Sequence, residues 1–148
     1  MKTILKYALM TILLSLSVFT GTSYAYVLST AEECQKTLER INKERISAKL
    51  CPLCGEEHLG CCACARANEV CTHFSHTRPD GTPYYTVDPD CVYGEILGAG
   101  ADSSDEIVDE WMNSETHREQ ILNPNYNDAG VNVLDKNGKR YWVVEFGY

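Results

Sequence analysis

The sequence has no run of lysine and arginine, and its formal net charge is −8 over 148 residues. An acidic chain without a basic cluster is poorly suited to phosphate backbones or anionic membranes, so no nucleic-acid partner is expected. Internal repeats, low-complexity tracts and long linkers are missing as well, which leaves one domain of ordinary size. Neither a Gly-x-Ser-x-Gly elbow nor a His-Glu-x-x-His helix occurs, so the two commonest hydrolase signatures are excluded. The one long apolar run, Tyr7 to Phe19, is shorter than the roughly 20 residues of a spanning helix, and no membrane span is expected.

What is present begins with that run. Lys2 and Lys6 precede it, and Ser23-Tyr24-Ala25 closes it with small residues at the two positions a signal peptidase reads. This is the layout of a secretory signal peptide over residues 1–25, with cleavage after Ala25. Residues 26–148 would then be the mature, extracellular domain, more acidic by the loss of two lysines. All eight cysteines fall in it, and an even count in a small exported domain argues for disulfide bonds.

Apolar residues recur at helical spacing from Ser29 to Ala48, with Leu38, Ile41, Arg45 and Ala48 on one stripe and Ser29/Thr30 as the cap. Pro52 and Gly55 break this helix. A second is predicted from Glu56 to Thr72, with Leu59, Cys62/Ala63, Arg66 and Val70 facing the core. The segment "HTRPDGTPYYTVDPD" is turn-rich. "SSDEIVDEWM" opens a third helix, with Ser103 and Glu106 as a capping box, and "THREQIL" forms a short fourth. Two strands, "GVNVL" and "RYWVVEFGY", are joined through Asn137-Gly138, a hairpin turn signal. Helices followed by a closing hairpin fit α+β better than a parallel α/β fold. Trp111 and Trp142 lie in apolar-periodic elements and are expected in the core.

The ordered segments "ARANEV", "HFSHTRPDG", "GEIL", "SSDEIVDEWMNSETHREQILNPNYNDAGVNV" and "YWVVEFG" resemble the bacterial branch of the CAP superfamily. This is the SCP-domain family of cysteine-rich secretory proteins, antigen 5 and plant pathogenesis-related proteins. The resemblance covers roughly Glu33 to Tyr148. It implies an α-β-α sandwich, with a central antiparallel sheet between helix layers, and a cleft that gathers histidines and glutamates. His76 matches the first family histidine, Glu95 the glutamate of the Gly-Glu-Asn motif, and His117 the histidine of the Gly-His-Arg motif. The second family glutamate falls on Ser114 here, and Glu115 follows one residue later as a weaker candidate. Ile96 and Thr116 replace an asparagine and a glycine that are usual beside these positions.

Two imidazoles and a carboxylate suit a borderline cation such as zinc, and a metal-bound water with Glu95 as general base would hydrolyse a substrate. If Glu95 instead serves as the third metal ligand, no base is left. The expected function is therefore a secreted binding or interaction module, a monomer taking a lipid or peptide, with a His76, His117 and Glu95 cleft able to take up a divalent cation. A zinc-dependent, peptidase-like hydrolase using the same three residues is the alternative, and a disulfide-stabilised surface protein with an inactive cleft is a third. "RPDG" is read as a turn orienting His76, with Arg78 within reach of a carboxylate near the cleft.

The cysteines pose a separate question. Cys51-x-x-Cys54 and Cys61-x-x-Cys64 are spaced like two knuckles of a thiolate zinc site. Disulfides are the competing reading. Cys61, Cys64 and Cys71 share a helical stripe where Cβ atoms lie about 5–6 Å apart or more, too far for the roughly 3.5–4.5 Å of a disulfide. They would pair with Cys51, Cys54, Cys34 or Cys91, while Cys62 points to the core and stays free.

Overall fold

The computed structural model describes residues 30–148; the expected signal segment and the Ser29 end of the first helix cap lie outside the described residues. Among the described residues no helix is long and apolar enough to cross a membrane.

Helix α1 occupies residues 30–47 and ends before the expected Ala48. Its last turn closes when Lys49 N–H bonds the Ile46 carbonyl and Leu50 N–H the Arg45 carbonyl, with Lys49 at φ 64°. That is a Schellman stop, so the chain leaves the helix ahead of Pro52. Strand β1 is a short piece, Cys54–Gly55. Helix α2, Glu57–Val70, is capped by the Glu56 side chain accepting from Leu59 N–H. Its buried stripe is Leu59, Cys62, Ala63, Arg66, Ala67 and Val70, as the spacing predicts. The turn-rich segment carries only a 3-10 turn, Tyr84–Val87.

Strand β2, Gly94–Ala99, has no counterpart in the periodicity reading. Its two glycines and alanine give no strand signal, yet five of its six positions are buried. Gly98 explains the composition: a Cβ there would lie 2.3 Å from Ile107 Cδ1, so only glycine lets the next helix press onto the strand. That helix, α3 (Ser104–Asn113), starts where Ser103 accepts from Glu106 N–H. The reciprocal bond shifts by one residue, Glu106 accepting from Asp102 N–H instead of Ser103. Helix α4, Glu115–Ile121, follows after Ser114. The hairpin β3 (Asp128–Lys136) and β4 (Lys139–Gly147) closes on Asn137 and Gly138, both at positive φ.

The sheet order is β1-β3-β4-β2. Its three long strands are antiparallel, and the two-residue β1 adds a parallel edge to β3. On one face Ile96, Val133, Val144 and Phe146 pack with Ile41, Ile107, Val108, Trp111 and Ile121 from α1, α3 and α4. On the other face Leu97 and Val143 pack with Ala63, Ala67 and Val70 of α2. The fold is thus α+β, helices on both faces of a mostly antiparallel sheet. Helix α2 comes unusually close to it, because a Cβ on Gly130 would lie 2.1 Å from the Leu59 carbonyl carbon. Both tryptophans are buried, with indole N–H groups donating to the carbonyls of Leu97 and Ala101.

Candidate functional site

The close approach of α2 places its buried arginine over the sheet. Arg66 is fully buried, and its guanidinium donates to Glu95 Oε2 at 2.7 Å and Oε1 at 3.2 Å, to Glu69 Oε2 at 2.5 Å and to the Ser75 carbonyl at 2.7 Å. Glu69 in turn accepts from Arg78 at 2.7 Å, which supplies the carboxylate within reach of the "RPDG" turn. That turn is closed by Gly81 N–H on the Arg78 carbonyl, with Gly81 at φ 86°. His76 is pinned by Tyr84 N–H donating to its carbonyl and by its Nδ1, 2.8 Å from Glu95 Oε1. Glu95 therefore has both carboxylate oxygens occupied. Burial pushes its pKa up, but the bonds from His76 and Arg66 outweigh burial and hold it below the usual carboxylate range.

Glu145 is the cross-strand neighbour of Glu95, fully buried, and neither of its oxygens meets a hydrogen-bond partner among the described atoms. Burial first, and then the Glu95 charge, push its pKa well up. Burial thus favours its neutral form, the opposite of the balance at Glu95.

His117 lies on α4, with Nδ1 2.8 Å from Ser114 Oγ. The residue that stands where the family carries its second glutamate thus bonds the histidine. Burial lowers the His117 pKa, and the charge of His76 lowers it further, so the two rings lie within electrostatic reach. His117 opens onto a groove of about 420 Å³ at the open edge of β2, walled by Phe74, Leu97, Ile107 and Trp111, with Glu110 and Lys139 at the rim. The structure brings His76 and Glu95 into contact, while His117 lines the groove with its Nδ1 on Ser114. Glu115 is exposed at the start of α4, and no hydrogen bond or ion pair among the described residues ties it to the other three.

The eight cysteines are not joined in pairs in the structure. Cys51, Cys54, Cys61 and Cys64 are exposed and do not assemble into the four-thiolate site their spacing suggested. Among the described residues a different set converges: His58, Cys62, Asp88 and Cys91 each bring one ligand atom to within 4.8 Å of the others. His58 Nε2 is 2.7 Å from Asp88 Oδ2. Burial, then the neighbouring Cys62 and Asp88, push the Cys91 thiol up to about 12. Helical spacing marks Cys62 only as a core residue, which hides this group in the sequence. The available signals are His58-x-x-x-Cys62 on one helix and Asp88-x-x-Cys91 in the turn.

A helix-covered antiparallel sheet with a buried glutamate beneath a histidine-bearing turn defines the class of protein: an SCP-type sandwich. The chain belongs to the CAP family, the cysteine-rich secretory protein family, whose model matches residues 38–146. It is 31% identical over 134 residues to the uncharacterized protein YkwD of Bacillus subtilis (strain 168), covering 86% of this chain and 51% of that one. The chain thus spans about half the length of that relative. In solved structures it is similar to an outer surface protein from Borrelia burgdorferi, with TM-score 0.70 and 24% identity, over 78% of this chain and 92% of that one. It is also similar to an extracellular SCP-domain protein from Bacillus anthracis str. Ames, with TM-score 0.66 and 22% identity, over 80% and 41% of the two chains. These likenesses are to the bacterial branch and show the fold.

Proposed function

We propose that this protein is an exported binding module whose groove beside His117 takes an apolar segment of a lipid or peptide. In this reading the cleft can also take up a divalent cation on the two histidines. The observation that carries it is the state of Glu95. With both oxygens held by Arg66 and His76, Glu95 is a positioning residue that fixes the His76 ring. It is not a free base for hydrolysis. Metal-bound histidines commonly give their other nitrogen to a carboxylate or similar partner. His76 and His117 both have Nδ1 engaged, by Glu95 and Ser114, so Nε2 is the nitrogen each would offer a cation. Glu95 then acts behind His76, and Glu115 plays no part.

Export is supported by the amino-terminal layout and by the outer-surface and extracellular relatives. Disulfides fit that compartment. Cys34 of α1 is one of the off-helix partners open to the exposed thiols of the α2 stripe.

The test uses the wild type and the His76→Ala/His117→Ala variant. Zinc is titrated into both, and each is then titrated with a fluorescent fatty acid and with an apolar peptide while tryptophan emission is followed. Zinc uptake in the cleft and a change in tryptophan emission are expected in the wild type, with the zinc response weakened in the variant. Equal zinc uptake by the two proteins refutes the cation site. Histidine-dependent peptide cleavage would move the assignment to a hydrolase.

A further inference from the structure

We infer that His58, Cys62, Asp88 and Cys91 form a second metal site, a structural zinc centre that staples the turn-rich segment to α2. His58 and Cys62 are four apart on one helix, so their side chains project from the same face. Asp88 and Cys91 face them from a turn in which Cys91 and Val92 N–H groups bond the Asp88 carbonyl. Asp88 Oδ1 also accepts from Asp90 N–H, which leaves Oδ2 aimed at His58.

Two thiols, an imidazole and a carboxylate are a four-ligand set that zinc accepts in tetrahedral sites. Bonds of about 2.0–2.3 Å put tetrahedral ligand atoms roughly 3.3–3.8 Å apart. The four atoms lie within 4.8 Å of one another, and on binding His58 Nε2 and Asp88 Oδ2, now 2.7 Å apart, would open slightly around the ion. Binding converts both thiols to thiolates and releases their protons to solvent. Cys62 is buried against Leu59 and Val92, with Tyr84 and Val87 beside them, while His58 is exposed. The ion would therefore seal the outer end of a small apolar cluster. That cluster anchors the segment that carries His76.

A Cys62–Cys91 disulfide is the rival use of the same sulfurs. It would not require His58 and Asp88 to converge on them, which is why the four-residue set favours a metal.

The experiment uses the exported protein purified without chelator or reductant. Bound zinc is measured by elemental analysis, thiols by intact mass after alkylation, and site geometry by cobalt substitution. Expected is one zinc that survives in the His76→Ala/His117→Ala variant, which separates this centre from the cleft. It should be lost in Cys62→Ser and Cys91→Ser. It should bind several-fold more weakly in His58→Ala, whose exposed position spares the core. The cobalt form should show tetrahedral bands and a sulfur-to-metal charge-transfer band. A Cys62–Cys91 disulfide in the isolated protein, or unchanged zinc content in folded His58→Ala and Cys91→Ser, would overturn the assignment.

Discussion

On one face of the sheet Ile96, Val133 and Val144 meet Ile107, Trp111 and Ile41. On the other, Glu95 and Glu145 lie side by side beneath the buried guanidinium of Arg66. The first face depends on shape, and its stability follows volume. The second depends on charges being paired, so its stability follows pH and the identity of single atoms. The groove takes its walls from both faces, Leu97 from one and Ile107 and Trp111 from the other, with His117 among its lining. His76 sits against Glu95 on the charged face.

The comparison breaks most severely at Arg66. Arg66→Met leaves buried Glu95 with His76 as its remaining partner and should cost about 3–5 kcal/mol in denaturant unfolding. Adding Glu95→Leu should recover a large part of it, because replacing both members of a buried pair is far less costly than orphaning one. A double variant no more stable than the single would show that packing governs this face too. On the apolar face Ile96→Ala should cost about 2–4 kcal/mol, equally at pH 5 and pH 8; a pH-dependent loss would erase the distinction between the faces.

Gly98→Ala should cost about 1–3 kcal/mol through its clash with Ile107. Part of that loss should return in Gly98→Ala/Ile107→Val, read as a thermal midpoint. Failure of the second change to help would mean that the strand, and not α3, resists the methyl group.

The smallest effect sharpens the charged face. Glu145 has a raised native pKa, so its contribution is fully present below the ordinary carboxylate range and falls as pH rises from there toward the native value. Glu145→Gln should therefore stabilise by on the order of 1 kcal/mol near pH 8, with less gain near pH 5. Glu95 has the opposite sign: its lowered pKa contributes stability above the ordinary range that is lost as pH falls through the native value. A Glu145→Gln variant with an unchanged slope between pH 5 and pH 8 would remove Glu145 as the source.

Much of this is legible in residue spacing. The α2 stripe, including Arg66, and the buried Arg45 of α1 follow from periodicity alone, as do α3, α4 and the closing hairpin. Arg45 shows why a charged residue can belong to a core stripe: it donates to the carbonyls of Cys51, Ile121, Asn123 and Tyr126. Strand β2 is not legible, because Gly98 is selected by the bulk of Ile107, a residue on another element. The candidate site is named by resemblance as His76, Glu95 and His117. Glu145 stays unseen because its meaning depends on register: one strand position away it would face the apolar layer. The convergence of Cys62 with Cys91 is hidden for a similar reason, since nothing in a linear reading brings the 88–91 turn onto α2.

The pairing order has a consequence for how the chain acquires its shape. Strands β2 and β3 never touch; each is joined to the sheet through β4. During synthesis β2 emerges before β3 and has no hydrogen-bonding neighbour until β4 arrives, about forty residues later. Helices can form early because their contacts are local, but the sheet must wait for its most distant pairing. Throughout that interval the edges of β2 lack a partner strand, and unpaired strand edges are where a nascent protein is prone to misassociation.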